Sequence, residues 1–225
     1  GPYTIKEVDA GRNITYERNA DYWGRHLSVN NGLYNFDVIS IDYYRDNNIA
    51  IEALKANEYD FRWENSSKFW STAYDIPAIE ARRLIKKEIK NSANKGMQAF
   101  VYNVRKPIFQ DIELRKAISY AFDFEWSNKT LFYNAYERAY SFYSNSDLAA
   151  TGLPSQAEVA LLAPFKQQLP PAVFTDSYRL PKSDGSGHNR PNLRTAKVIL
   201  DKAGYAVKDN QLYNADGIKL NFEIL

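Results

Sequence analysis

Apolar and polar positions follow two alternating periods along this chain, one of strands and one of helices. Tyr3 to Lys6 and Asn13 to Glu17 alternate, or nearly so, on either side of Asp9-Ala10-Gly11, which predicts a β-hairpin. Phe36 to Tyr44 is a β-prone run carrying Val38, Ile39 and Ile41. A short helix is predicted over Ile49 to Ala56, capped by Asn47 or Asn48, with Asn57 as its left-handed terminator. Ser66 or Ser67 caps a second helix reaching Tyr74, and Pro77 at the first helical position opens a third that runs to about Leu84. Ile85 to Ile89 and Gln98 to Val104 read as strands, separated by a turn over Asn91 to Gly96.

The strongest helical pattern lies past Lys106-Pro107, which interrupts the extended run. Leu114, Ala117, Ile118, Ala121 and Phe122 recur at the spacing of one buried stripe. Asp111 is its expected N-cap, and Glu113 places negative charge in the first turn. Another helix is predicted over Trp126 to Tyr133. From Ser155 to Arg190 the prolines and Ser183-Asp184-Gly185-Ser186-Gly187 predict extended and loop structure. Asn192 is the expected cap of a last helix with Leu193, Ala196, Leu200 and Ala203 on one face and Gly204 just past its end. Tyr205 to Leu225 then reads as a hairpin turning at Asn214-Ala215-Asp216-Gly217.

Composition narrows the chemistry. With 225 residues the chain can build one or two domains, and its 29 basic and 27 acidic residues give no argument for nucleic acid or an anionic membrane surface. There is no cysteine, which removes disulfides, thiolate metal sites and cysteine nucleophiles. The pattern contains no transmembrane helix and no signal peptide. The chain opens on Gly1 without an initiator Met and closes on an apolar run, so a piece of a longer protein is expected. No catalytic motif is found. His188 between glycine-rich neighbours suits a solvated loop better than a metal or phosphate loop, and Arg82, Arg83, Lys86 and Lys87 suit a solvated helix face. The unusual quantity is aromatic: 17 Tyr, 12 Phe and 4 Trp. Such side chains serve cores and ligand walls alike, and Trp63 fits either role.

Several segments resemble, in order, the periplasmic solute-binding proteins of family 5, the dipeptide and oligopeptide receptors of ABC importers. Gly1-Pro2-Tyr3, Ile14 to Asn19 and Asp21-Tyr22-Trp23-Gly24 resemble that family's "G-P-Y-x-(I/V) … L-E-R-N-x-x-Y-W-G". Asn103, Pro107, Phe109, Asp111, Arg115, Ala117, Ile118, Ala121 and Asp123 match its "Y-x-x-N-x-x-x-x-P-F-x-D-x-x-V-R-x-A-I-x-x-A-x-D", with Leu114 for Val and Ile108 inserted. Ala196, Ile199, Leu200, Ala203, Gly204 and Tyr205 match "A-x-x-L-L-x-x-A-G-Y". Two departures stand out: Asn57 replaces a usual Gly, and Phe124 replaces the Arg that usually follows the Asp. The loop reading FYSNSDLAATGLP, from Phe142 to Pro154, is similar to the branch that takes up oligopeptides and microcin C.

This resemblance implies an α/β chain with the two-lobed, type II-like periplasmic binding protein fold and mixed sheets, present as a fragment. Residues 1–125 would be the second half of lobe I. Residues 126–225 would be the hinge crossing, near Phe124 to Tyr140, and the start of the other lobe. It implies a monomer that captures peptides in the periplasm and passes them to an inner-membrane permease, with no catalysis, cofactor or metal. Peptide backbone groups leaving water need partners, and Tyr102-Asn103 at a strand end would supply them. Tyr140, Phe142 and Tyr143 would form rigid walls with polar tips, with Asn145 beside them. Trp63 and Glu64 lie just past a predicted strand, where α/β loops carry ligand contacts. The alternatives are another solute on the same scaffold, such as a sugar or nickel chelate, a carbohydrate-active enzyme with paired inward carboxylates, or an interaction module without a cleft.

Overall fold

The computed structural model describes residues 1–94 and 96–224. Lys95, in one predicted turn, and Leu225, at the end of the last predicted strand, lie outside them. The chain divides into two compact units, Gly1–Asn65 with Asp75–Leu84, and Ser66–Tyr74 with Ile85–Leu225.

The first unit is built on a three-stranded sheet. β1 (Tyr3–Asp9) and β2 (Asn13–Arg18) form the expected hairpin, and β3 (Val38–Asp42) pairs with β2. Every pairing is antiparallel: β1 and β2 are joined by a short turn, and β3 returns beside β2 after the longer connection over residues 19–37. A register shift between Ile5 and Glu7 realigns β1. As a result Ile5, Tyr16 and Ile39 share one row and Val8, Ile14 and Ile41 the next, so one sheet face is apolar. α1 (Asn47–Lys55) buries Ala50, Ile51, Ala53 and Leu54. Its cap is Asp46, not Asn47 or Asn48: the carboxylate accepts from the N–H groups of Asn48 and Ile49 at 2.9 and 3.1 Å, two donors held by one charged group. Asn57 ends the helix in the left-handed region at φ 63°, as its sequence position predicts. α3 (Pro77–Glu80) is shorter than expected, because Arg82 turns left-handed at φ 55° and reverses the chain.

The second unit begins with α2 (Ser67–Thr72), capped by Ser66, and is centred on α4 (Ile112–Ala121) packed against α8 (Arg190–Lys202). Leu114 is the fully buried centre, at 0% exposure, with Phe109 and Tyr205 beside it. Tyr102, Ile108, Ile118, Leu200, Ala203, Leu212 and Leu220 close around them. α5 (Phe124–Leu131) starts earlier than expected, because Asp123 accepts the Trp126 N–H at 3.0 Å and caps it. α8 also starts earlier, at Arg190, since Pro191 suits the first turn of a helix.

Three further differences have local causes. Ile85 to Ile89 and Gln98 to Val104 form no strands among the described residues, and Val101 is 90% exposed. Their composition favours strands, but a strand exists only against a ladder partner. In the 155–190 stretch, expected to be irregular, Ser155 and Glu158 form a reciprocal capping box that starts α6 (Gln156–Leu162), and α7 (Ala172–Thr175) follows. The last hairpin pairs β4 (Ala206–Lys208) with β5 (Gln211–Tyr213) and turns at Asp209 and Asn210, both left-handed, as a two-residue primed turn requires. Asn214 to Gly217 makes a second, smaller turn closed by the Tyr213–Lys219 bridge.

Candidate functional site

In the first unit, Arg62, Trp63 and Glu64 follow α1 and the short extended piece after Asn57. Alternation sends Trp63 outward, at 72% exposure, and sends its neighbours in. The Glu64 side chain is only 3% exposed, and its Oε2 accepts from Arg62 Nε at 3.0 Å. Arg62 Nη2 also donates to Asn47 Oδ1 at 3.3 Å, which ties the segment to the start of α1. Burial alone would pull the Arg62 pKa down, but hydrogen bonds to Glu64 and Tyr59 outweigh it and raise it. Trp63 is thus an exposed aromatic on a segment clamped from behind.

In the second unit, Tyr102 and Asn103 separate at once. Tyr102 packs on Phe109, ring centroids 5.3 Å apart. Burial raises its phenol pKa, opposed by Ser119 and Arg115. Asn103 is exposed, and its Oδ1 accepts from the backbone N–H and Nε of Arg105 at 3.2 and 3.3 Å, closing a local turn.

The 138–150 loop is organised by serines. Ser141 Oγ accepts from the N–H of Tyr143 and of Ala150, at 3.3 and 3.1 Å, and Ser144 and Ser146 donate to the carbonyls of Ser141 and Tyr143. These bonds hold the backbone inward and turn Phe142, 79% exposed, and Tyr143 outward. Asn145 is left-handed at φ 60°, and its Nδ2 donates to the Ala93 carbonyl at 2.6 Å. Tyr140 is partly buried beneath the Arg179 guanidinium, 5.3 Å from its ring centre. The loop therefore gathers Tyr140, Phe142, Tyr143 and Asn145, while Tyr102 hangs on the helical core.

The sequence reading passed over Arg138. Its guanidinium lies 5.0 Å from the Phe124 ring centre and 5.5 Å from that of Phe122. A single cation in the aromatic run Tyr133 to Tyr143 was the available signal. Cavities among the described residues of this unit include the following two. One of about 170 Å³ is lined by Ser183, Asp184, His188 and Asn189, and one of about 230 Å³ by Asp111, Tyr205 and Asp216. In the first, the Ser186 hydroxyl and backbone hold the Asp184 pKa low. Among the described residues no three His, Asp or Glu side chains converge as a metal site, and no helix is long and apolar enough to cross a membrane.

The family model of bacterial extracellular solute-binding proteins, family 5 Middle, matches residues 1–225. An uncharacterized protein, YejA, of Escherichia coli (strain K12) is 45% identical over 226 residues, covering 100% of this chain and 37% of that protein. The "Probable peptide-binding protein YejA" of Agrobacterium fabrum is 43% identical over 228 residues, with the same coverage. The chain thus spans little more than a third of the length of these relatives. NikA from Brucella suis, solved in complex with Fe(III)-EDTA, shares the fold at a TM-score of 0.60 and 19% identity, over 98% of this chain and 36% of NikA.

Proposed function

This chain belongs to the bacterial extracellular solute-binding proteins, family 5, and we propose that it is part of a receptor that captures peptides and delivers them to a membrane ABC permease. The observation that carries the ligand class is the 43% identity, across the whole chain, to a relative named for peptide binding. The chemistry of the exposed residues supports it. Phe142 and Tyr143 offer rigid apolar surface with a polar tip, and Asn103 offers an amide to a peptide backbone. Trp63 serves as the exposed aromatic of the first unit, with Glu64 holding its segment through Arg62. Tyr102, Tyr140 and Asn145 set the frames from which these groups project.

In this reading the protein works as a monomer in the periplasm. Residues 1–125 belong to one lobe, residues 126–225 to the crossing and the other lobe, and closure about the Phe124 to Tyr140 segment traps the ligand. The Phe142 to Pro154 loop favours oligopeptides and peptide–nucleotide conjugates of the microcin C type. The scaffold alone does not choose the solute, since NikA uses it for a metal chelate. Native mass spectrometry of the full-length protein, isolated without added ligand, tests the reading. A ladder of adducts at peptide masses is the expected result. A single chelate or sugar mass would replace the peptide reading with another solute on the same fold.

A further inference from the structure

Arg138 is a partly buried cation with one guanidinium nitrogen that finds no acceptor among the described residues. Its guanidinium stacks on Phe122 and Phe124, and its Nη1 is fully buried with no hydrogen-bond partner among the described residues. Glu125, the acid that acts on its charge, accepts the Ser183 N–H through Oε2 at 3.0 Å. Asp123 caps α5 and accepts the Ser183 hydroxyl at 2.5 Å, both through Oδ1, while its Oδ2 is buried without a partner among the described residues. Burial lowers the Arg138 pKa, with Glu125, Tyr140 and Tyr178 only partly opposing it. A second buried, unpartnered group lies on the segment next to it: Ser177 Oγ, one residue before Tyr178 and two before Arg179, which covers Tyr140. A buried guanidinium left without an acceptor is costly, whereas one given a carboxylate in the plane of its fork gains two charge-assisted bonds. With Phe122 and Phe124 close to the guanidinium carbon, the in-plane N–H fork is the part that can take a carboxylate.

We propose that Arg138 is an anion anchor that takes a carboxylate of the bound peptide. This rests on the peptide reading above and names the group of the ligand that is read. Access comes through the 138–150 loop, which is held by serine-to-backbone bonds rather than by helix or strand and can shift without breaking a regular element. The carboxylate comes either from the peptide C-terminus or from an acidic side chain, and one experiment separates the two.

The test uses the full-length protein and matched synthetic peptides chosen from those it carries. Each is made as the free acid and as the C-terminal amide, and with Asp or Asn at internal positions. Affinity is read by calorimetry for wild type, Arg138→Met and Arg138→Lys, with melting temperature as the check on folding. Wild type should favour the carboxylate form about 10–100-fold, the range for a charge-assisted pair. Arg138→Met should reduce that preference to within about threefold while still binding the amide form, and Arg138→Lys, which keeps charge but loses the fork, should fall between. Loss of the acid-over-amide preference assigns the C-terminus; loss of the Asp-over-Asn preference assigns a side chain. A preference that survives in a folded Arg138→Met protein overturns the inference and leaves peptide binding intact. So does a wild type that prefers neither form. If Arg138→Met does not fold, Arg138→Lys and the wild-type preference carry the same decision. Failure to bind any peptide overturns the peptide reading itself, and this inference with it.

Discussion

Tyr205 shows how much one polar group does in the core of the second unit. Its hydroxyl donates to Asp111 Oδ2 at 2.8 Å, while Asp111 Oδ1 accepts the Glu113 N–H and caps α4. Burial, then the hydrogen bond to Asp111, pushes the phenol pKa from 10.0 up to about 12. The neutral phenol is the form the fold stabilises. That contribution is complete below pH 10, where both states hold the proton, and is lost between 10 and 12 as the unfolded chain deprotonates first. Denaturant titrations from pH 9 to 12 on the full-length protein should show this fall, and Tyr205→Phe should flatten it, at about 1–2 kcal/mol lower stability at neutral pH. Arg62 and Glu64 give a second prediction. With the Glu64 side chain 3% and the Arg62 side chain 13% exposed, Glu64→Ala strands a buried guanidinium and should cost about 3–5 kcal/mol, read as a shift in the urea midpoint. Trp63, which that pair supports, should tolerate Ala with under about 1 kcal/mol lost but weaken ligand binding. Sequence alone placed Trp63 and Glu64 side by side; which of them faces outward depends on the partner that Arg62 finds.

At the scale of elements, some helix ends were legible, since Asp111, Ser66 and Asn57 sit where their chemistry places them, whereas the starts of α1, α5 and α8 lie one to three residues from their expected positions. Asn57 at φ 63° occupies the position where the family usually has glycine. Asn57→Gly should therefore be nearly neutral, and Asn57→Ala should cost about 1 kcal/mol, since Ala has neither glycine's freedom nor asparagine's tolerance of this region. Gly204 is a stricter case: at φ +83°, an added Cβ would also sit 3.1 Å from the Ala215 Cβ. Gly204→Ala should cost about 1–2 kcal/mol by thermal unfolding. Elements that need a distant partner were less legible. The alternation of Tyr3 to Glu17 carried its own turn and its own pairing, and the hairpin forms. Phe100, Val101 and Tyr102 have the composition of a strand, yet only Tyr102 is drawn in, by Phe109. The reciprocal bonds of Ser155 and Glu158 were written in the S-x-x-E spacing and hidden by the prolines that follow.

At the scale of the molecule, the 138–150 loop joins stability to function. It has no helix or strand, and its bonds run mostly among its own serines. Limited proteolysis of the full-length protein should cut there early, and saturating peptide should slow that cut several-fold. Unchanged cleavage with a bound peptide would place the ligand away from this loop. The ordered motifs, the α4 stripe and the hairpin determined family and fold class, because they depend on neighbours close in sequence and on chemistry that repeats with a fixed period. Tertiary structure alone decided which polar groups are left over. Arg138 and Asp123 are ordinary residues in the sequence; burial by Phe122 and Phe124, and the commitment of Glu125 to Ser183, make one of them a cation in need of an acceptor. Desolvation depends on what the rest of the chain packs overhead, and no local pattern encodes it.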